Sequence, residues 1–364
     1  MILNHLSLQN FRNYSKSEFT FNDNITVIVG SNASGKTNLL ESIVLLATGK
    51  SFKSEKEKQL IHFGKQAARV KGKITLMEET EGTKETEETK GLDEEELEVT
   101  IAEAPTQFMQ KRYLVNGVSK RRVDFAGRLQ VVLFTPLDLE IVAVQPASRR
   151  NYLNDVLEPV DSDYRLALAS YTKALRQRNA LLEQVQKTGH RDQERFAYWD
   201  ELLIANGQII THKREALLAF INAAEKKLFP FTLLYDRSTV SGERLLQYKD
   251  AEIGAGVTLV GPHRDDVLIQ TYHEGSKDFE DVKYFSSRGQ QRLVTLELKQ
   301  LQISYMQHQT QTLPVLLLDD IFSELDNSHI KHVLEMIYNN QTIITTTHHE
   351  FIDTLPKEKR NVIE

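Results

Sequence analysis

The segment GSNASGKT, residues 30–37, fits the pattern G-x-x-x-x-G-K-[ST]. It follows the apolar run ITVIV and opens the helix-periodic run KTNLLESIVLLAT, the setting in which that pattern holds phosphate. Its glycines let the backbone wrap closely around an anion, and the N–H groups of the loop and helix start point inward. The expected phosphate-holding set is Gly30, Ser31, Asn32, Ala33, Ser34, Gly35, Lys36 and Thr37, with Asn38 next in the helix. Lys36 should reach the β- and γ-phosphates of a nucleotide, and the Thr37 hydroxyl should hold Mg2+. The other half of such a site is an acid at the end of an apolar strand. PVLLLDD supplies Asp319 as the second Mg2+ partner, directly or through water. It also supplies Asp320, placed to orient or deprotonate an attacking water.

A second stretch, SSRGQQR at residues 286–292, carries a serine, a glycine and a glutamine just ahead of apolar positions at helical spacing (Leu293, Val294, Leu296, Leu298, Leu301). The Ser287 hydroxyl, the Gly289 N–H and the helix N-terminus together suit an anion. Since one cradle already exists, a second is useful if Ser287, Gly289 and Gln290 close on the γ-phosphate of a nucleotide held by another copy. That arrangement resembles the Ser-x-Gly-Gln signature of ATP-binding-cassette ATPases, which makes ATP the expected nucleotide. IFSELDN resembles that family's D-loop, with Leu325-Asp326. TTTHH falls where the family places its switch histidine, which makes His348 a catalytic candidate, although a lone histidine at a strand end also reads as a plain surface residue. The family's Q-loop glutamine has two candidates, Gln130 and Gln145.

Positioning these groups takes alternating strands and helices. ILNHLSLQNF, EFTF and ITVIVG read as strands, and a helix ending at Gly49 follows with Leu39, Leu40, Ile43 and Leu46 on one face. Strands are expected around ARVKGKITLM and LEVTIA. KRYLVNGVSKRRV reads as a hairpin turning at Asn116-Gly117, and LQVVLF as another strand. From about residue 146 the texture becomes helical and highly charged, with a short helix over ASRRNYLNDVL and long ones over 163–187 and 194–228. Strand and helix patterns return with VLIQTYH, PVLLLDD, NSHIKHVLEMIY and QTIITTTHH. The expected class is α/β: a P-loop ATPase head of the ABC type, with a mainly parallel sheet over 1–144 and 252–364. Residues 145–251 form an inserted helical arm (lobe II) or a helical subdomain packed on the core.

Several further runs occur in a fixed order through nearly the whole chain: LNHLSLQNFRNY, LVNG, LFTPLDLEIV, RRNYLNDVL, LRQRNALL, WDELLIANGQII and TLVGPHRDD. Together with the motifs above they resemble the RecF family of bacterial recombination and repair ATPases, related to SMC proteins. GPHRDD and SSRGQQR in one chain are the most specific pair. The resemblance implies a head with a short helical arm, ATP-dependent homodimerisation and slow, DNA-stimulated ATP hydrolysis. It implies binding to gapped DNA and to junctions of single- and double-stranded DNA. It also implies work with RecO and RecR in loading RecA, in replication restart and in the SOS response. It adds Arg12 and Asn13 of NFRNY to the nucleotide-binding set. Two departures stand out. VAVQPASRR lacks the glycine usual before that proline, and Asp320 stands where transporter ATPases have glutamate, one methylene longer.

The bulk numbers constrain this reading. The 364 residues are 40% hydrophobic and 26% charged, with no cysteine, which fits a globular protein of a reducing cytoplasm. No apolar run is long enough for a membrane span, and the first residues lack a secretory pattern. The net charge of −6 is unevenly spread: residues 78–98 hold eleven acids and two lysines, which leaves +3 for the rest. That block is expected to be a solvated loop insertion. DNA as partner is therefore compatible with the charge, and Arg121, Arg122, Arg149, Arg150 and Arg176 are candidate phosphate contacts. Further candidates are Lys111, Arg112 and Lys120 around the hairpin and Lys173, Arg178, Lys213 and Arg214 on the long helices. An OLD-type nuclease would need a further carboxylate domain after the head, a transporter subunit would lack GPHRDD, and a structural SMC-like chromosome protein would need a far longer coiled coil.

Overall fold

The runs ITVIV, VLLLD and TIITT are buried at every residue, the mark of parallel strands covered on both faces. The computed structural model describes residues 1–54, 56–76, 93–104, 108–272, 279–324, 327–347, 355 and 360–363, without the side chains of 323–329 and 331. Leu325, Asp326 and His348 lie outside the described residues. Two compact units emerge, Met1–Asp138 with Gln302–Glu364, and Leu139–Leu301. The first begins with β1 (Ile2–Phe11), β2 (Tyr14–Thr20), β3 (Ile25–Val29), α1 (Lys36–Thr48), β4 (Ala67–Leu76) and β5 (Asp93–Glu103). It continues with β6 (Met109–Val115), β7 (Val118–Lys120), α2 (Arg122–Phe125) and β8 (Val131–Phe134). The second holds α3 (Glu140–Ala143), α4 (Pro146–Val160), α5 (Ser162–Thr188), α6 (Gln193–Ala223), β9 (Thr232–Asp236), α7 (Gly242–Gln247) and α8 (Lys249–Ala255). It also holds β10 (Asp266–Thr271), β11 (Glu280–Asp281), α9 (Val282–Phe285) and the start of α10 (Arg288–Thr310). The first unit resumes with the end of α10, then β12 (Val315–Asp319), α11 (Asn327–Ile337), β13 (Thr342–Thr346) and β14 (Arg360–Ile363).

In the first unit the expected parallel sheet is present, in the order β14-β3-β13-β12-β8. Beside it stands a larger antiparallel sheet, β2-β1-β4-β5-β6-β7. Helix α1 packs against strands of both, so every residue from Leu39 to Ala47 is buried, not one face only. The parallel register pairs Val29 with Thr346 and Asp319 with Thr345, which brings the carboxyl ends of β3, β13 and β12 to one level. Asn116 (φ 50°) and Gly117 (φ 77°) both adopt the left-handed conformation that a type I′ turn requires. The last strand expected from sequence was QTIITTTHH, yet β14 follows it at the sheet edge. The acidic stretch is not all loop. Asp93–Glu98 begins β5, because basic partners neutralise its acids: Lys71–Glu96 (2.7 Å), Arg69–Glu98 (2.7 Å) and Arg128–Glu95 (2.5 Å). Residues 77–92 lie outside the described residues.

The second unit is larger than the expected arm, because β10 packs on α4 and α8 on α5. The long helices α5 and α6 run where periodicity placed them, but α6 stops at Ala223, not near 228. There Lys226 turns back to donate to the Ile221 and Ala224 carbonyls, and the Glu297 carboxylate accepts from the N–H groups of Lys227 (3.2 Å) and Leu228 (2.6 Å). Two arginines among the candidate DNA contacts are interior instead. Arg178, fully buried, donates to Asp200, Glu252 and Thr258 at 2.5–2.8 Å. Arg214, 2% exposed, donates to Asp265 (2.9 Å), the Pro262 carbonyl (2.8 Å), Tyr164 and Asn154.

GPHRDD is the centre of this knot. Gly261 has φ +123°, and a Cβ there would lie 2.3 Å from the Tyr171 hydroxyl. Asp265, fully buried, accepts from Arg214, Tyr235 and the Ser238 N–H. His263 joins Tyr171 OH through Nδ1 (2.7 Å) and the Thr258 carbonyl through Nε2 (3.0 Å). Burial lowers the His263 pKa from 6.5 to about 4. The unfolded chain therefore takes up a proton between pH 6.5 and 4 that the folded unit refuses, so stability falls as pH drops through that window. The expected loss is about 3 kcal/mol at its lower end. His263→Asn should flatten this part of the pH dependence of the urea midpoint relative to wild type.

Candidate functional site

Strand β3 ends at Val29, and the chain enters the loop with Ala33 at φ 68° and Gly35 at φ 111°. Gly35 is the N-cap of α1 and offers no side-chain acceptor, so the first N–H groups of the helix are not claimed by a cap. A Cβ on Gly35 would sit 2.3 Å from Asn13 Nδ2, and one on Gly30 would sit 2.8 Å from Ser34 Oγ. The loop is thus a close-walled cradle: Gly35 needs its left-handed backbone, and a side chain at Gly30 would have to displace Ser34. Lys36 Nζ lies across it, donating to the Gly30 (2.6 Å) and Ser31 (3.0 Å) carbonyls.

The turn between β1 and β2 backs the loop. Asn13 Nδ2 donates to the Ser34 carbonyl (3.0 Å), Asn38 Nδ2 to Asn13 Oδ1 (2.9 Å), and Tyr14 OH to the Gly35 carbonyl (3.2 Å). Arg12 (φ 53°) points elsewhere, forming a two-point ion pair with Glu41 (2.7 and 2.8 Å). Glu41 is fully buried within α1. Arg12 also donates to the Gln59 carbonyl (2.9 Å) and to Ser54. Sequence reasoning missed Glu41 and Tyr14. A charge in the middle of NLLESIVLL was the available signal for Glu41, since such a group needs a buried partner.

Thr37 Oγ1 donates to Asp319 Oδ1 (3.0 Å), and Thr345 Oγ1 donates to the same oxygen (2.8 Å). Asp319 is only 8% exposed. The two residues expected to hold a metal ion are therefore in contact, each at the end of its own element. A hydroxyl and a carboxylate oxygen are the hard donors Mg2+ takes, so the set fits that ion. Asp320 follows with φ 49°, and its N–H donates to the Thr345 carbonyl (3.1 Å). A left-handed non-glycine residue at a strand end costs free energy, and such residues cluster at functional sites. Thr345, in the polar run TTT, is a further site residue not foreseen from sequence.

In the second unit, SSRGQQR begins α10 with a reciprocal capping box. The Ser287 N–H donates to Gln290 Oε1 (2.8 Å), and the Gln290 N–H donates to Ser287 Oγ (3.3 Å). Gln291 Nε2 donates to the Lys283 carbonyl (3.1 Å). Part of what looks over-elaborate in this stretch is thus ordinary capping. Gly289 is not explained that way: it is exposed, and a Cβ there would meet nothing closer than Ser287 Oγ at 3.9 Å. Just ahead, Tyr284 and Phe285 are 72% and 61% exposed. Of the Q-loop candidates, Gln130 accepts from Thr310 (3.1 Å) and Gln145 is exposed.

Among the expected DNA contacts, Arg121 and Arg176 are exposed, Arg121 beside Asp124 (2.7 Å). Arg122 donates to the Thr48 carbonyl (3.0 Å) and Arg150 to the Asp265 carbonyl (2.7 Å). Arg149, 8% exposed, grips both oxygens of Asp266 (2.7 and 3.0 Å).

A phosphate loop on an all-parallel sheet, an acid on the next strand but one and a helical second unit define a P-loop ATPase head of the ABC and SMC class. The RecF/RecN/SMC N terminal domain family matches residues 2–362. The DNA replication and repair protein RecF of Roseiflexus castenholzii is 34% identical, across 95% of this chain and 93% of its own length. That of Oceanobacillus iheyensis is 32% identical, across 96% of each. A solved structure of the recombination mediator protein RecF-ATPrS in the RecFOR pathway is 28% identical, with a TM-score of 0.83 over 100% of this chain and 96% of that one. A second, of RecF-ATP, has a TM-score of 0.80 over 95% and 92%. The chain belongs to the RecF family.

Arg12→Leu would leave the Glu41 carboxylate buried without its cation. It should lower stability by about 3–5 kcal/mol, read from the urea midpoint.

Proposed function

We propose that this protein is an ATP-gated DNA-binding switch of recombinational repair. The observation that carries the reading is the 3.0 Å contact of Thr37 with Asp319 at the mouth of a glycine cradle, since it joins the phosphate loop to an acid suited to Mg2+. The RecF-ATP and RecF-ATPrS relatives support ATP as the nucleotide. The cradle, from Gly30 to Thr37 with Asn38, binds the phosphates, and Lys36 moves from its two carbonyls to the β- and γ-phosphates. Asn13 and Tyr14 keep the loop open, while Arg12 positions it through Glu41. Mg2+ held by Thr37 and Asp319 would supply charge neutralisation on the phosphate oxygens. Asp320 orients the attacking water, and His348, outside the described residues, is proposed as the switch histidine. With an aspartate in that place, hydrolysis is slow and serves as a timer.

Gly289 supports the second step of the reading. Glycine is a poor helix former, costing up to about 1 kcal/mol relative to alanine in a helix interior, and nothing among the described residues requires it here. Close approach of a phosphate held by a second copy does require it. Ser287, Gly289 and Gln290 therefore complete the partner's site in an ATP-dependent homodimer, with the exposed Tyr284 and Phe285 just ahead in the chain. The dimer binds gapped DNA and single-strand/duplex junctions, stimulates its own slow ATPase there, and acts with RecO and RecR in loading RecA. The same activity serves replication restart and SOS induction in the cytoplasm. Arg121 and Arg176 are the exposed members of the DNA-contact set. Arg122 in the first unit and Arg149 and Arg150 in the second are engaged with the protein's own oxygens.

Sedimentation with and without ATP tests the switch. Wild type should dimerise with ATP, Lys36→Met should fail to bind ATP, and Ser287→Arg should bind ATP yet stay monomeric. Normal dimerisation of Ser287→Arg would overturn the trans site. Duplex affinity, measured by anisotropy, should require ATP and fall steeply between 50 and 200 mM salt.

A further inference from the structure

One end of the antiparallel sheet carries aromatic rings that the fold does not use. The loop KSFKSEKEKQLIHFGK, residues 50–65, holds five lysines against two glutamates. Phe63 is 98% exposed, Phe108 77% and Phe52 37%. Phe63 owes its position to a tight turn: the Lys65 N–H donates to the His62 carbonyl (3.0 Å), and Gly64 takes φ +79° as the third residue of a type II turn requires. Gly64 has nothing within 4 Å, so the turn stands clear of the body. The Gln66 carbonyl accepts from the Glu103 N–H (3.1 Å), the Phe108 carbonyl from the Ala104 N–H (2.9 Å), and Lys58 reaches Glu103 (3.4 Å). Phe63 and Phe108 therefore flank the same strand ends, Ala67 of β4 and Glu103 of β5, with Lys53, Lys56 and Lys65 exposed nearby in the chain.

Single exposed hydrophobic residues are common, but two phenylalanines at one sheet end, with Phe52 earlier in the same lysine-rich loop, form a pattern. A protein partner would favour apolar rings without the surplus of cations. Rings that stack on bases, beside cations that track phosphates, are the chemistry of single-stranded nucleic-acid binding. We propose that Phe63 and Phe108, with Phe52 and the lysines of this loop, form a stacking platform for the unpaired bases of a DNA tail or gap. The proposal rests on the DNA-binding reading above and goes beyond it by assigning the single-stranded part to this surface. The platform is also tied to the phosphate loop. His62 Nδ1 bonds to the Arg12 carbonyl (2.7 Å), and Asn13, the next residue, holds the Ser34 carbonyl.

Anisotropy with ATP, on a blunt duplex and on the same duplex bearing a single-stranded tail, tests the assignment. Wild type should favour the tailed DNA. Phe63→Leu with Phe108→Leu keeps apolar bulk but removes the rings, and should cut affinity for tailed DNA by roughly ten-fold while leaving the blunt duplex unchanged. Phe63→Tyr with Phe108→Tyr should retain the preference. Unchanged tailed binding by the leucine pair, the result expected if the patch docks a protein instead, would overturn the platform alone. Equal losses on both DNAs would also overturn it. Failure of wild type to bind either DNA would overturn the DNA-binding reading itself.

Discussion

A carboxylate inside a helix that is covered on every side cannot rely on water, and Glu41 relies on Arg12. The pair fixes more than its own energy. Arg12 must leave β1 in a left-handed conformation to reach Glu41, and that bend delivers Asn13 and Tyr14 to the carbonyls of the phosphate loop. The same guanidinium holds the Gln59 carbonyl and Ser54, and the Arg12 carbonyl holds His62. Loop, helix and the 50–65 segment thus share one anchor. An arginine is suited to this, because its planar fork satisfies both carboxylate oxygens and still has donors to spare.

The second unit is organised by the same physics at two further places. Arg178 with Glu252 and Arg214 with Asp265 are buried ion pairs whose remaining donors and acceptors are hydrogen-bonded. Such pairs contribute little net stability over well-packed apolar residues, but breaking one is costly. They suit a unit that must keep two long helices in one register rather than one that needs a thicker core.

Much of the first unit was legible in the sequence. Unbroken apolar runs gave the parallel strands, and Asn116-Gly117 gave the hairpin. GSNASGKT and PVLLLDD gave two halves of a site that meet through Thr37 and Asp319. The failures have physical causes. Arg178 and Arg214 looked like surface cations because a charged residue on a charged helix carries no sign of a distant buried acid. Asp93–Glu98 looked like loop because its neutralising partners, Lys71, Arg69 and Arg128, lie far off in sequence or across the sheet. Ser287 and Gln290 looked purely functional, and their mutual bonds show that a helix start also has its own donors to satisfy.

The β4–β5 pair joins two ends of unlike character. Asp93 and Glu94, beyond the neutralised Glu95, Glu96 and Glu98, stand opposite Leu76 and Thr75, and the lysine and phenylalanine surroundings lie at Ala67 and Glu103. Ten residues of strand separate them, about 30 Å, several times the screening length at physiological salt. A polyanion drifting toward this sheet therefore feels a torque as well as a pull, turning away from one end and toward the other before any contact is made. For a polyanionic partner such a strand pair would act as a compass needle, setting the direction of arrival rather than the strength of the grip.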